Sequence, residues 1–386
     1  MIVAGEASGD LHGSRVVKAI MRLNPEIQVF AMGSEHLRQA GAEIIIDSSR
    51  LAVVGITEVI ERLGGLFRAH QSVKKIIKKN ELSLLILIDF PDFNLSLARV
   101  AKKAGVPVLY YISPQVWAWR SGRVQKIVRR VNKMAVIFPF EVPIYQKAGL
   151  DVEFVGHPLL DVLGLNPQEG LSSNPSEFRG DPLIALLPGS REREIQSLLP
   201  EMVRAAEILT ARKPGSKFIL PAAPTVNVQG LKNLSQSQAA SISVVEGKTY
   251  EAIMAADVVI VASGTATLET AILGKPMAIV YRVSPLSYWV GKALLKVDWV
   301  GLVNIVAGKN VAPELLQGDF KGETIAAAAL KILDDKTYRR EMVEGLAEVR
   351  KKLGTPGAAE RVARMALQMI EANKAVSSQL ALENSL

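Results

Sequence analysis

Residues 258–276 have the sequence VVIVASGTATLETAILGKP. The apolar, mostly β-branched run 258–261 predicts a strand buried on both faces, and the small residues 263–265 predict a tight turn. Residues 267–273 have helical spacing before a glycine and a proline end the helix. Such a turn lets a ligand approach the backbone, and the positive end of the next helix favours an anion such as a diphosphate. Glu269 would then lie in the first helical turn, either as a ribose contact or as a surface residue of an ordinary strand–helix junction.

A similar turn is predicted at the start of the chain. Residues 1–4 are a short apolar run, residues 5–10 (GEASGD) contain two glycines, and a helical pattern follows. The polar residues of this turn are either ligand contacts or helix caps, and the sequence leaves both interpretations open. The turn residues carried forward as candidates are Gly5, Glu6, Ser8, Gly9 and Asp10.

The clearest buried strand of the first half is 84–88, and it is followed by Asp89-Phe90-Pro91-Asp92-Phe93-Asn94. Ligands of open parallel sheets bind outside the carboxyl ends of the strands, so acids at this point are candidates for chemistry. Asp89 or Asp92 could be a general base that removes a proton from a hydroxyl nucleophile. The other would be structural, since Asp92 could also cap the following helix. Spacing does not separate the two.

Two further segments of the first half carry candidate contacts. Trp117 and Trp119 are two residues apart, and their indoles either line a sugar or acyl pocket or pack in the core. His157, in a Gly-His-Pro corner, could contact a phosphate or serve as a structural hinge.

The second half begins with a strand at 183–187 that leads into Pro188-Gly189-Ser190-Arg191. This is another candidate anion turn, and Arg191 could neutralise a departing diphosphate. The alternative is that Arg191 pairs with neighbouring glutamates at a solvated helix start.

A stretch around residues 53–67 mixes apolar residues with arginines. It would suit either an anionic membrane surface or an amphipathic helix facing the core. The membrane-patch candidates are Val53, Val54, Ile56, Leu63, Leu66 and Phe67.

Composition narrows the classes of function. The 386 residues suffice for two domains, and there are no cysteines and four histidines without a close pair, so no metal site is indicated. The net charge of +8 is spread over short basic groups, which suits local anion contact better than nucleic acid. No apolar run reaches membrane-spanning length and no cleavable signal is evident, so we expect a cytoplasmic protein that is soluble or peripheral.

Strands alternate with helices in both halves, which predicts an α/β protein with two Rossmann-like domains facing across a cleft. We expect a first domain at 1–165, a Pro/Gly/Ser-rich linker at 166–182 and a second domain at 183–353.

Six blocks occur in an order that resembles the lipid-A-disaccharide synthases. They are Gly5–Asp10, Asp89–Asn94, Ser113–Trp119, Gly156–Pro158, Leu187–Arg191 and Ser263–Glu269. Each block alone is weak evidence, but together they are specific and span residues 2 to about 370.

The resemblance implies a glycosyltransferase-B fold in which residues 354–386 cross back to the first domain. It implies an inverting transfer without metal or cofactor, from UDP-2,3-diacylglucosamine to the 6'-hydroxyl of 2,3-diacylglucosamine 1-phosphate. The products would be UDP and a β-1,6-linked tetraacyl disaccharide 1-phosphate. It also implies peripheral association with the inner membrane, as a monomer or homodimer.

The resemblance also implies roles for the candidate residues. The second domain would hold UDP through Ser190, Arg191, Ser263, Gly264, Thr265, Thr267 and Glu269, with Asn304 and Gln317 as weaker candidates. The first domain would hold the acceptor through the Gly5–Asp10 turn, Asn94 and Trp117, with Asp89 or Asp92 as base.

Two other functions remain open from sequence. A UDP-sugar 2-epimerase could share the fold, because a fold does not fix the reaction. A non-catalytic membrane module that binds anions would account for the basic charge and the apolar-basic stretch.

Overall fold

The computed structural model describes residues 1–51, 58–79, 81–117, 122–163, 180–223, 226–282 and 298–383. The chain divides into two compact units. The first contains Met1–Asp161 together with Gly354–Leu386, and the second contains Val162–Leu353. Several expectations fall outside the described residues: most of the 166–182 linker, Trp119, and the patch residues Val53, Val54 and Ile56.

The first unit is built on a seven-stranded sheet in which every strand pair is parallel. Its strands are β1 (Ile2–Ala4), β2 (Phe30–Gly33), β3 (Glu43–Asp47), β4 (Leu85–Ile88), β5 (Val108–Tyr111), β6 (Lys133–Val136) and β7 (Asp151–Phe154). Its helices are α1 (Ala7–Leu23), α2 (Glu35–Gln39), α3 (Glu58–Lys78), α4 (Pro91–Lys103), α5 (Arg123–Val128), α6 (Val142–Gln146) and α7 (Leu159–Leu163), the last of which runs into the second unit. The final helix of the chain, Ala358–Glu383, packs on α1, where Arg22 pairs with Glu360.

The strand order is β3-β2-β1-β4-β5-β6-β7, so the chain builds the sheet outward in one direction from β1 and in the other direction from β4. Residues Leu85–Ile88 of β4 are all buried, as a central strand covered by helices on both faces requires. The turns after β1 and β4 therefore lie at the topological switch point, where open α/β sheets bind ligands.

The second unit is built on a six-stranded sheet, again parallel throughout. Its strands are β8 (Leu183–Leu187), β9 (Lys217–Ala222), β10 (Ile242–Glu246), β11 (Val258–Ala262), β12 (Met277–Tyr281) and β13 (Glu314–Leu316). Its helices are α8 (Glu192–Arg212), α9 (Val228–Leu234), α10 (Thr249–Ala255), α11 (Thr265–Ile272), α12 (Leu302–Ala307), α13 (Gly322–Asp334) and α14 (Lys336–Lys352), and the final helix of the chain is numbered α15.

The order β10-β9-β8-β11-β12-β13 places the switch point of this sheet between β8 and β11. The two predicted anion turns of the second half follow these two strands. The predicted fold class, α/β with two Rossmann-like sheets, is confirmed.

Two local predictions were wrong, and one alternative that the sequence left open is not observed. Residues 313–317 (PELLQ) combine a proline with a glutamate in a way that predicts a helix start, but Glu314–Leu316 form β13, which pairs with β12. Helix α11 begins at Thr265, so Glu269 lies in its second turn and not in its first. Neither Ser8 nor Asp10 caps α1, because the N-cap residue is Glu6 and no side chain caps that helix.

Candidate active site

The acceptor half of the predicted site lies at the switch point of the first sheet. Strand β1 leads into the Gly5–Asp10 turn, and the neighbouring β4 leads into Asp89 and Phe90. The two turns are in close contact, since a Cβ added at Gly5 would lie 2.3 Å from the Phe90 ring. The sequence predicted both turns, and the sheet order brings them together.

Asp89 has an unusual backbone. Asp89 and Phe90 both have φ of 46°, in the left-handed region that non-glycine residues seldom adopt. The Asp89 carbonyl accepts hydrogen bonds from Tyr110 Oη at 2.5 Å and from Asn94 Nδ2 at 2.8 Å. Backbone strain held in place by its surroundings is concentrated at functional sites, which makes this turn a candidate for chemistry.

The Asp89 carboxyl is half-buried, and burial raises its pKa to about 6. The carboxylate of Glu6 raises this pKa further, while the Phe90 N–H lowers it. A carboxyl with a pKa near 6 is a stronger base than an ordinary aspartate and is still ionised at neutral pH. These are the properties that a general base needs.

Asp92 is in a different environment. Its side chain is 81% exposed and pairs with Arg123, whose side chain is only 15% exposed. It lies in the first turn of α4, where the N-cap position belongs to Phe90. The sequence could not separate the two aspartates, but their surroundings in the structure differ in burial and in charge.

The remaining acceptor-side candidates fall into two groups. Glu6 and Ser8 are exposed at the turn. Asp10 is buried and accepts hydrogen bonds from Ser34 and from the His36 N–H, so its carboxylate ties α1 to the start of α2. Gly9 is buried, and a Cβ added at Gly9 would lie 3.5 Å from the Cβ of Ala4.

Asn94 and Trp117 are engaged within the protein. Asn94 is fully buried, and its amide holds the carbonyls of Ile88 and Asp89. The Trp117 indole packs edge-on against Phe138 and Phe140, with ring centroids 6.4 and 5.2 Å away. Both arrangements support the shape of the site from within.

His157 is buried and its Nδ1 accepts the Leu159 N–H at 3.2 Å. Burial, together with nearby His12, lowers its pKa to about 3. The imidazole is therefore neutral at physiological pH and offers no charge to a phosphate.

Gly5→Ala is expected to lower turnover at least tenfold, because the new Cβ would force the Phe90 ring, and with it the Asp89 turn, to move. Overpacking of this kind also costs about 1–3 kcal/mol of stability. Steady-state kinetics and thermal unfolding measure the two effects. Gly64→Ala in α3, where an added Cβ meets nothing within 4 Å, is the control. It should leave turnover unchanged and raise stability by up to about 1 kcal/mol, because alanine favours a helix more than glycine does. Equal activity of the two variants would contradict the close approach of the turns.

The second unit presents its own pair of turns at a switch point. Gly264, with φ of 154° and ψ of −159°, joins β11 to α11 in a conformation that favours glycine. Ser263 Oγ donates to the Val300 carbonyl at 3.0 Å, and Thr265 is exposed at the helix start. The first N–H groups of a helix lack partners within the helix and carry its positive end. The turn can therefore bind a diphosphate.

Arg191 follows β8, and β8 pairs with β11, the strand that leads into this turn. Its side chain is 81% exposed and pairs with Glu194 at 2.8 Å, and Ser190 is exposed next to it. The predicted alternative, an ion pair at a solvated helix start, is thus present. Exposed ion pairs contribute at most about 1 kcal/mol, so an anionic ligand could draw Arg191 away at small cost.

Glu269 is half-buried, and one of its oxygens accepts a hydrogen bond from Tyr250 at 3.1 Å. Burial raises its pKa, while the Tyr250 hydrogen bond lowers it. Thr267 is fully buried and donates to the Gly264 carbonyl at 2.8 Å, so its hydroxyl stabilises the turn.

A buried hydrogen-bond network supports the Ser263 turn. Asn304 is fully buried and donates to Glu314 Oε1 at 2.8 Å. The two Glu314 oxygens accept the Val300 and Gly301 N–H groups, each at 2.9 Å, and Val300 in turn accepts from Ser263. Asn304 therefore acts on the turn through Glu314. Gln317, at the end of β13, has a left-handed φ of 50°.

Three residues with positional roles were missed by sequence reasoning: Tyr110, Tyr250 and Glu314. Each binds a candidate residue distant in sequence, and no local pattern signals such a pairing. Tyr110 at least lies in a buried strand, β5, next to the strand that leads into Asp89.

Of the membrane-patch candidates, Leu66 and Phe67 have described side chains. Leu66 is half-buried, whereas Phe67 is 64% exposed, the highest value among the large apolar side chains described. Within the described ranges, no helix has the length and apolarity to cross a bilayer. The same ranges contain no cluster of three potential metal ligands.

Comparison with known proteins gives matches over nearly the whole chain. The profile of the lipid-A-disaccharide synthetase family matches residues 1–368. The lipid-A-disaccharide synthase of Geobacter metallireducens is 49% identical over 373 residues, which cover 96% of this chain and 97% of that protein. The corresponding protein of Syntrophus aciditrophicus is also 49% identical over 373 residues, with the same two coverages.

Among solved structures, the UDP-GlcNAc 2-epimerase of Neisseria meningitidis bound to UDP-GlcNAc is similar with a TM-score of 0.65. The match covers 95% of this chain and 99% of that one at 12% sequence identity. At this identity the likeness concerns the fold alone.

Proposed function

The chain belongs to the lipid-A-disaccharide synthetase family, and from this membership we propose how its residues carry out the family's reaction. The reaction transfers 2,3-diacylglucosamine from UDP to the 6'-hydroxyl of 2,3-diacylglucosamine 1-phosphate. UDP and the β-1,6-linked tetraacyl disaccharide 1-phosphate are the products.

The first unit would bind the acceptor and supply the base. We assign the base to Asp89, and the observation that carries this assignment is its half-buried carboxyl with a pKa raised to about 6. Asp92 is a weaker candidate, because it is exposed and its charge is already paired with Arg123. Exposed Glu6 and Ser8 would contact the acceptor sugar beside the base.

The proposed step is a direct displacement. The Asp89 carboxylate takes the proton of the acceptor hydroxyl as that oxygen forms a bond to the anomeric carbon of the donor sugar. The bond from that carbon to the diphosphate oxygen breaks with its electron pair, and UDP leaves. A single displacement inverts the configuration, so an α-linked donor gives a β-linked product.

The second unit would bind UDP. The backbone at Ser263, Gly264 and Thr265 is suited to the diphosphate because it combines a glycine turn with a helix N-terminus. Arg191 and Ser190 follow the adjacent strand and would stabilise the charge that develops on the leaving group. Glu269, positioned by Tyr250, would accept hydrogen bonds from the ribose.

Release of UDP tests this function. With UDP-2,3-diacylglucosamine alone, we expect no UDP, and addition of 2,3-diacylglucosamine 1-phosphate should start its release. UDP release that ignores the acceptor, or conversion of the donor sugar to its 2-epimer, would favour an epimerase. Unchanged nucleotide sugar in all assays would favour a non-catalytic module.

We also propose that the protein associates peripherally with the cytoplasmic face of the inner membrane. Both substrates carry acyl chains, and the exposed Phe67 offers an apolar contact on α3. An exposed aromatic next to cationic side chains such as Arg68 suits an anionic bilayer surface.

Val54→Glu combined with Phe67→Glu is expected to weaken binding to phosphatidylglycerol vesicles at least tenfold, because it adds two carboxylates to the proposed membrane patch. UDP affinity should stay within about twofold, since neither position belongs to the second unit. Vesicle sedimentation and calorimetry measure the two affinities. The control is Leu234→Glu with Val343→Glu, which adds the same charge at exposed apolar positions of the second unit. Equal loss in both double variants would contradict the membrane patch.

A further inference from the structure

A basic groove lies between α4 and α5 in the first unit. The cavity has a volume of about 610 Å³ and is lined by four cationic side chains, Arg99, Arg123, Lys126 and Arg130. Asp92 is the carboxylate among its lining residues. The positive charge in the groove therefore exceeds the negative charge by three.

Three of the four cations come from two helix faces, and Arg130 lies in the turn that follows α5. On α4, Asp92, Ser96 and Arg99 are spaced four and three residues apart and so lie on one side of the helix. Arg123 and Lys126 have the same relation on α5. The groove thus results from helical spacing and from the side-chain contacts Arg123–Asp92 and Arg130–Leu95 between the two segments.

Two of the cations are fixed and two are available. Arg123 pairs with Asp92, and Arg130 Nη1 donates to the Leu95 carbonyl at 3.0 Å. The side chains of Arg99 and Lys126 are exposed at the groove. Arginine presents several N–H donors in a plane, which matches the oxygens of a phosphate group.

The groove begins close to the proposed base. Asp92 lines its start and is three residues after Asp89, and α4 rises about 1.5 Å per residue, so Arg99 lies about 10 Å further along the helix. A sugar whose hydroxyl reaches Asp89 is therefore within reach of the start of the groove, where Asp92 and Arg123 lie.

An apolar surface borders the same groove. His70 on α3 lies 2.9 Å from the hydroxyl of Ser96, which lines the groove. The exposed Phe67 precedes His70 by about one helical turn. A ligand with both a phosphate and acyl chains would find a matching surface for each part.

The Gly5–Asp10 turn, which the resemblance places at the acceptor, is poorly suited to a phosphate. It carries two carboxylates, Glu6 and Asp10, and the Glu6 carboxylate already acts on Asp89. A phosphate dianion placed there would face like charges, whereas in the groove it would face cations.

We propose that the basic groove binds the phosphate of the acceptor, a phosphomonoester on the sugar whose hydroxyl Asp89 deprotonates. The inference rests on the proposed function and adds to it a site for recognition of the phosphate. It also gives the groove a role in distinguishing phosphorylated acyl sugars from unphosphorylated ones.

The test is Arg99→Gln with Lys126→Gln, assayed in neutral detergent micelles. With the 1-phosphorylated acceptor, we expect KM to rise roughly tenfold to a hundredfold, as for the loss of hydrogen bonds to a charged group. With the same diacylglucosamine lacking the phosphate, and with the UDP-sugar, KM should stay within about twofold of wild type. The control is Lys102→Gln with Lys103→Gln, which removes two exposed charges from the end of the same helix, outside the groove.

The possible results separate the alternatives. Equal rises in KM for the phosphorylated and unphosphorylated acceptors, or for the groove and control variants, would overturn the assignment. Loss of binding to phosphatidylglycerol vesicles with an unchanged ratio of the two KM values would assign the groove to lipid headgroups and also overturn it. Failure of the wild-type protein to transfer the sugar would refute the proposed function itself. Thermal unfolding is measured for each variant to show that it is folded.

Discussion

Asp89→Asn is expected to lower kcat by about 100- to 10,000-fold, the range over which a positioned general base contributes. Asparagine has the same shape and tolerates the left-handed backbone that Asp89 adopts at φ of 46°. The loss should therefore come from the missing base and not from a displaced turn. Single-turnover kinetics at saturating substrates measure it.

The pH profile of the wild type provides an independent reading of the same group. Because the base must be ionised, and burial raises its pKa to about 6, kcat/KM should fall tenfold per pH unit below about pH 6. Above that pH the profile should be flat as far as Asp89 is concerned. A limb well below pH 6 would indicate a base other than Asp89.

Stability should change in the opposite direction to activity. A carboxyl whose pKa is raised on folding favours the folded state when protonated, and this contribution is lost as the pH rises through the folded pKa of about 6. At pH 8 the ionised, half-buried Asp89 therefore destabilises the protein, and asparagine should remove about 1–3 kcal/mol of that cost. Near pH 3, where aspartate is protonated in both states, the difference should vanish.

Asp92→Asn is the matched control, because it changes the same residue type three positions later, in the first turn of α4. Its side chain is 81% exposed, so its effect on kcat should be less than tenfold. Near-normal turnover of Asp89→Asn, or a larger loss in Asp92→Asn, would refute the assignment of the base.

Arg191→Ala is expected to lower kcat by about 100- to 1,000-fold, the effect of removing one group that stabilises charge in the transition state. Arg191 forms an exposed ion pair with Glu194, so its removal should change the free energy of unfolding by less than about 1 kcal/mol. Steady-state kinetics and thermal unfolding measure the two quantities. Arg191→Lys should recover part of the rate, because it restores the charge without the planar fork.

Arg193→Ala removes the same charge two residues later on α8, where the side chain is also exposed. Its kcat should stay within about threefold of wild type. Comparable losses in Arg191→Ala and Arg193→Ala would mean that general electrostatics, and not a specific contact with the diphosphate, governs the effect.

The parts of the fold that follow from local pattern were predictable. Strand β8 was predicted with the bounds Leu183–Leu187 that the structure gives it, since five buried apolar residues are bounded by turn residues. The parallel arrangement followed from the alternation of strands and helices. The short β13 was mistaken for a helix start because its strand character comes from pairing with β12, which is more than thirty residues earlier in the chain.

The candidate site, like the fold, was predictable where it depends on local sequence and not where it depends on tertiary contacts. The turns that carry Asp89, Arg191 and Ser263 follow buried strands, so sequence reasoning found them. The difference between Asp89 and Asp92 depends on Arg123, 31 residues away from Asp92, and on burial by other elements. The support of the Ser263 turn by Glu314 is likewise tertiary, and no spacing rule could have predicted it.

Analysis of the reaction products shows whether this chain joins two acyl sugars with loss of UDP. Purified protein is incubated with UDP-2,3-diacylglucosamine and 2,3-diacylglucosamine 1-phosphate, and the products are identified by mass spectrometry and NMR. We predict one UDP for each disaccharide 1-phosphate, joined by a β-linkage to the 6'-oxygen. UDP without disaccharide, an α-linked product or an epimerised donor would contradict the account.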